Sequence, residues 1–179
     1  MNYIYNLCKI NTPYVDKCIH SLRLDEQWIT INGTPIQIDE NGYLQGEIGK
    51  EIQRNEIAKK HGITESEDRG KPSETGEMKT AIVYHGSNAE FDNFDPSEIG
   101  DKNQVNQFGE GFYFTDDPSI ARNYGDNVYA VELQYSTDRR TAKRTGGQRD
   151  FMYNADTGYW VIPQASSGNI RILERNKVT

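Results

Sequence analysis

The sequence predicts an α+β fold, a β-rich carboxy-terminal domain preceded by a small helix-plus-hairpin module, and three observations carry that prediction. Runs of β-branched and aromatic residues recur through the second half of the chain, at Ala81-Ile82-Val83-Tyr84, Phe112-Tyr113-Phe114, Val128 to Tyr135, Phe151 to Tyr153, Tyr159 to Ile162 and Ile170 to Leu173. Among them stands one clear helix start, Asp116-Asp117-Pro118, where an aspartate can accept from orphan amides and proline suits the first helical position. Ahead of them, Thr64 to Glu77 contains no aliphatic or aromatic residue, so nothing offsets the entropy of ordering it. The division expected is a module over 1–62, a linker over 63–77 and a domain over 78–179.

In chain order, Thr12-Pro13 caps a group at helical spacing, Tyr14, Val15, Cys18, Ile19 and Leu22, which predicts a small packing helix. Trp28 to Ile31 then alternates, Asn32-Gly33 is a two-residue hairpin signal, and Ile36 and Ile38 resume the alternation. Asn41-Gly42 marks a further turn. Residues 47 to 61 form a charged, weakly helical segment in which Ile48 and Ile52 share a face that Ile57 does not extend. In the second domain a strand ends at His85-Gly86-Ser87, which puts an imidazole and a glycine backbone at a sheet margin. Along Val128 to Tyr135, Val131 and Leu133 face one way and Ala130, Glu132 and Gln134 the other. Asp156-Thr157-Gly158 and Ser166-Ser167-Gly168-Asn169 are turns.

Composition narrows the function classes. A net charge of -7 gives no whole-protein attraction to nucleic acid or to an anionic membrane, while leaving room for a local basic patch. The two cysteines, Cys8 and Cys18, lie outside any Cys-x-x-Cys or His/Cys cluster, so neither a metal site nor a disulfide framework is expected. No apolar run is long enough for a membrane helix, and the start lacks the basic-then-apolar pattern of a signal peptide. The expectation is a cytoplasmic protein with reduced thiols and no membrane partner.

Three pieces in the second domain carry chemistry: Tyr84-His85-Gly86-Ser87, the stretch from Phe108-Gly109-Glu110-Gly111 through Tyr113 to Tyr124, and Gly158-Tyr159-Trp160-Val161-Ile162-Pro163. The middle piece is a glycine-flanked approach, a short strand and a capped helix, with one tyrosine on each element. Its tight corner brings the two rings near one another, where they either fill a core or hold a flat, electron-poor ring. In order and content the three pieces resemble the ADP-ribosyltransferase fold, particularly the branch with a His, Tyr and Glu signature that includes the diphtheria-toxin-like and poly(ADP-ribose) polymerase-like enzymes. The likeness covers roughly the last hundred residues, the span of one small domain.

That resemblance implies a split β-sandwich and NAD as co-substrate. It implies that His85 hydrogen-bonds the adenosine-side ribose and that the Gly86 backbone holds the nicotinamide carboxamide. Tyr113 and Tyr124 would stack on the nicotinamide, and Ser87, Gly111 and Ser119 would complete the NAD site. Such an enzyme grips the leaving ring and stabilises the ribosyl cation, with little acid–base machinery.

The chain departs from the family pattern in two places. Ala121 stands where the polymerase-like branch has a small hydroxyl residue, so a carboxamide hydrogen bond would have to come from Ser119 or Ser87. Tyr159 stands where the family has its catalytic glutamate. The arginine-initiated branch of the fold would need an arginine in place of His85, and it too puts its glutamate at Tyr159. The catalytic candidates are therefore His85, Tyr113 and Tyr159, with Asp150 as a substitute acid and Asp156 and Glu132 as weaker ones; a deprotonated acceptor side chain could also supply the missing charge.

The basic loop bearing Arg139, Arg140, Lys143, Arg144 and Arg149 occupies the place of the family's acceptor-contacting loop. An acidic protein patch or a nucleic acid is the partner it would fit. The block from Trp28 through Gly42 is similar to a short cassette of phage head-associated and mobile-element polyproteins. Together these imply a phage or toxin-type effector in a bacterial host, a mono-ADP-ribosyltransferase acting on a host macromolecule. The alternatives are an NAD glycohydrolase and a catalytically silent descendant that binds NAD or a host protein as an inhibitor of host defence.

Overall fold

A computed structural model describes residues 28–39, 42–66, 77–99, 111–136, 152–154, 156–162 and 169–177. The helix expected after Thr12, both cysteines, Asp150 and the basic loop from Arg139 to Arg149 lie outside the described residues. The chain divides into two compact units, Met1–Glu56 and Ile57–Thr179.

In the first unit β1 (Trp28–Ile31) and β2 (Thr34–Gln37) form an antiparallel hairpin with Ile31 opposite Thr34. Asn32 and Gly33 both have positive φ, 49° and 81°, the pair of left-handed conformations that a tight two-residue turn demands. Alternation then buries Ile36 and Ile38 with Leu44, against Ile29, Ile31 and Ile52. Helix α1, Gly46–His61, follows the weak signal over 47–61, and the division between the units falls within it.

In the second unit α1 ends on Gly62, φ 65°, with Ile63 N donating to Ala58 O and Gly62 N to Lys59 O. Lys60 and His61 both reach Glu174, at 2.7 and 3.2 Å. Residues Glu65 and Ser66, within the stretch read as linker, bond along β3: Glu65 Oε1 accepts from Ile82 N and Ser66 pairs with Thr80 through both its backbone and its hydroxyl.

The second unit is built on a six-stranded antiparallel sheet, so the molecule is α+β as the sequence predicts. Its strands are β3 (Met78–Ser87), β4 (Phe112–Thr115), β5 (Asn127–Ser136), β6 (Met152–Asn154), β7 (Tyr159–Ile162) and β8 (Ile170–Lys177). They stand in the order β6-β7-β4-β3-β5-β8. β3 continues through His85-Gly86-Ser87 and pairs with β5 along its whole length, from Met78 opposite Ser136 to Ser87 opposite Asn127. With β4 it shares a single pair, Tyr84 opposite Thr115. Two halves, β6-β7-β4 and β3-β5-β8, are thus joined through one described residue pair.

One face of the sheet buries Ala81, Val83, Phe114, Tyr129, Val131, Leu133, Tyr135, Trp160 and Ile162 as a single cluster. The other face is covered too: Ile82, Tyr84, Val128, Ala130 and Val161 are buried, as is Ala121 of the short helix α2 (Pro118–Arg122). Coverage of both faces explains why Ala130 and Glu132, on the face of β5 opposite Val131 and Leu133, are buried as well. Glu132 is matched there by the Arg171 guanidinium, as a buried charge requires.

Candidate active site

The site is built by the corner from β4 into α2. Asp117 caps the helix, its carboxylate accepting from Ser119 N at 2.9 Å, and Pro118 takes the first turn. Asp116 has a different task. Its carboxylate accepts from Trp160 Nε1 at 2.9 Å and Tyr153 Oη at 3.1 Å, and its backbone N donates to Gly158 O, which fixes the β6–β7 turn against the end of β4.

α2 lies directly on the β3 backbone. A methyl group added at Gly86 would meet Ala121 O at 1.7 Å, and one added at Gly125 would meet the Ser87 carbonyl carbon at 2.1 Å. Both positions require glycine because two backbones touch there. Gly125 was not among the residues singled out from the sequence, although its place just after the helix is a usual one for glycine. Gly111 has the same character, since a methyl there would come within 2.6 Å of Ile162 O on β7.

Strand alternation sorts the other side chains. Tyr84 pairs with Thr115 and Thr115 with Tyr159, while Tyr113 pairs with Val161, so Tyr84, Tyr113, Tyr159 and the α2 side of Gly86 share one face. Tyr124, one residue beyond the cap of α2, stands 60% exposed on that face, its hydroxyl 3.2 Å from the Tyr159 hydroxyl. This contact and the withdrawal from solvent push the Tyr159 phenol up to about 12, so at neutral pH it is an uncharged hydrogen-bonding group. Of the two neighbouring serines, Ser87 Oγ accepts from Ala89 N at 3.1 Å, and Ser119 is half-buried in the first turn of α2.

His85 points to the opposite face. Its ring sits among Phe91, Phe94, Phe114 and Tyr129, with centroids 5.9, 5.1, 5.7 and 6.3 Å away. The segment carrying Phe91 and Phe94 is held there by Tyr129, whose hydroxyl accepts from Phe91 N and donates to Ala89 O while the two rings stack at 4.4 Å. Nδ1 lies 2.8 Å from Tyr113 O, and because a carbonyl only accepts, Nδ1 carries the proton. Desolvation pulls the His85 pKa below its usual value, opposed by that carbonyl bond, so the ring is neutral and its Nε2 is left as an acceptor. The imidazole and the two phenols that the resemblance assigns to one NAD site therefore lie on two faces of the sheet, with the imidazole bonded to the β4 backbone.

The edge of β3 there presents backbone groups. Thr80 bonds to Ser66 and Ile82 N to Glu65 on the edge of β3 turned away from β5, and Tyr84 meets Thr115 on that same edge. By alternation the N–H and C=O of Gly86 point the same way, past the last β4 pair, and no strand meets them among the described residues. One donor and one acceptor, side by side on a strand edge, match the C=O and NH2 of a primary amide.

Of the other acids considered, Glu132 is engaged by Arg171, Asp156 is exposed in the turn before β7, and Asp150 lies outside the described residues. No helix among the described residues is long and apolar enough to cross a membrane.

Comparison with known proteins bears on the same stretch. The model of a family described as ADP-ribosyltransferase in polyvalent proteins matches residues 73–162, which is half of the chain and contains His85, Gly86, Tyr113, Tyr124 and Tyr159. No curated protein and no solved structure matches the chain. The chain belongs to the family of ADP-ribosyltransferases found in polyvalent proteins.

Proposed function

We propose that the protein is a mono-ADP-ribosyltransferase that uses NAD as co-substrate and modifies a macromolecule of a bacterial host, a phage or toxin-type effector acting in the cytoplasm. The observation that carries this reading is the edge of β3 at Gly86, which no strand meets among the described residues, with Tyr113, Tyr124 and Tyr159 on one face of it and His85 on the other. A split β-sandwich with the dinucleotide in the split fits that arrangement.

In this reading the Gly86 N–H donates to the nicotinamide carboxamide oxygen and its C=O accepts from the amide NH2, while Tyr113 and Tyr124 flank the ring. The dinucleotide crosses that edge, and the His85 Nε2 accepts from a hydroxyl of the far ribose. The bond between nicotinamide nitrogen and ribose C1′ breaks with its electron pair leaving on nicotinamide. An acceptor nucleophile then bonds C1′ and releases its proton, which balances the transfer. The transient ribosyl cation is stabilised here by fixed dipoles and hydrogen bonds, because the Tyr159 phenol brings no charge. Single transfers at a low rate follow, and chain-forming activity does not. The acceptor would dock through the loop bearing Arg139, Arg140, Lys143 and Arg144, and Asp150, which follows that loop, is the substitute acid.

Tyr159 also favours a second reading, a catalytically silent member of the family that retains the cleft and binds NAD or a host protein to block a defence system. An NAD glycohydrolase, with water as acceptor, is the third. Incubating the protein with labelled NAD and host lysate separates them. Label on a macromolecule supports transfer, free ADP-ribose supports hydrolysis, and unconsumed NAD supports the silent form.

A further inference from the structure

We infer that Tyr159 is a positioning residue: its hydroxyl holds the Tyr124 phenol and so fixes the rotamer that places the exposed ring against which the nicotinamide packs. The inference rests on the reading of the cleft as an NAD site, and it assigns the residue at the family's acid position a task that needs no charge.

Three features of the molecule support it. The backbone beneath Tyr124 is already fixed, since α2 is pressed onto β3 at Gly86 and its following turn at Gly125. What remains is rotation of a side chain that is 60% exposed, and an exposed ring has several rotamers open to it. Among the described residues the hydrogen-bond partner of that phenol is the Tyr159 hydroxyl at 3.2 Å. Tyr159 itself starts from a rigid place, the first residue of β7, paired with Thr115 on one side and Asn154 on the other. A phenol also reaches further from the strand than a carboxylate would, which lets it meet a ring mounted on α2. Holding the ring in advance lowers the ordering entropy lost when a ligand stacks on it. The withdrawn ionisation of Tyr159, up to about 12, is the signature of the same contact.

The test uses the full chain, with tyrosines carrying a 13C label at Cζ, and reads two quantities. The first is independent of NAD: in the NMR titration the Tyr159 signal ionises near 12 in the natural protein and moves back toward 10 in Tyr124→Phe. The second is the NAD dissociation constant by calorimetry, which should rise roughly two- to tenfold in Tyr159→Phe, the range for one lost hydrogen bond. If turnover is measurable, KM rises and kcat holds, because a stacking surface serves the ground state and transition state alike. A Tyr159 signal indifferent to Tyr124→Phe overturns the pairing. A variant that binds NAD as well as the natural protein overturns the positioning role alone. A natural protein that binds no NAD overturns the reading of the cleft and the role with it.

Discussion

Strand β3 has two long edges, and the molecule treats them differently. Toward β5 it is paired from end to end and its side chains sink into a continuous core. Toward β4 it makes one described pair, at Tyr84 and Thr115, and next to that pair the His85 ring bonds the Tyr113 backbone. The first edge is scaffold. The second is where backbone polar groups, a neutral imidazole and three phenols collect. On the reading proposed above, one strand serves both stability and recognition: the complete ladder holds it rigid while its other edge is left to a ligand.

Substitutions on the two edges should therefore fail in different ways. Leu133→Ala, at a fully buried position on the paired side, should lower unfolding stability by roughly 2–5 kcal/mol in denaturant titration while the folded fraction keeps its NAD affinity. Gly86→Ala, on the other side, forces a methyl into Ala121 O and should destabilise by about 1–3 kcal/mol and also abolish NAD binding by calorimetry. Retained binding in that variant would separate Gly86 from the ligand site. If the proposed mechanism holds, Tyr159→Glu places a charge beside the ribosyl cation and should raise kcat for nicotinamide release roughly tenfold, worth about 1.4 kcal/mol. The same variant should raise KM, because the hold on Tyr124 is lost.

The smallest effect is in pH. His85 has a lowered pKa in the folded chain, so the unfolded chain binds more protons as pH falls through the ordinary value of 6.5. Stability is then fully present above 6.5 and declines below it, until the folded pKa is passed. One proton allows a slope of at most about 1.4 kcal/mol per pH unit. His85→Phe should flatten that slope in denaturant titrations run over this pH range, and an unchanged slope would assign it to other groups.

Much of this was legible in the sequence. The strand at Tyr159 to Ile162 falls where alternation and propensity put it, Asn32-Gly33 turns the first hairpin, and an aspartate ahead of Pro118 caps α2. The family likeness of the three motifs is matched by the family found over 73–162. What could not be read is what depends on pairing between distant segments. Alternation places Ala81, Val83 and His85 on one face of β3, but whether that is the face of Tyr113 depends on the register at Tyr84 and Thr115, which no local pattern encodes. The same holds for Asp116, which looks like a cap and instead accepts from Trp160 and Tyr153, and for Gly125, whose need for a bare backbone arises from Ser87, far along the chain. The hydroxyl contact of Tyr124 with Tyr159 likewise joins residues 35 apart.

The central claim is that the edge of β3 turned away from β5 receives the nicotinamide end of NAD at Gly86. Titrating NAD into uniformly 15N-labelled protein and following the amide resonances tests it directly. The expected result is a saturable downfield shift of the Gly86 amide, accompanied by shifts at Tyr113 and Tyr124 and reproduced by nicotinamide alone. A Gly86 amide that stays fixed while NAD saturates the protein elsewhere, or a spectrum that NAD does not change, would contradict it.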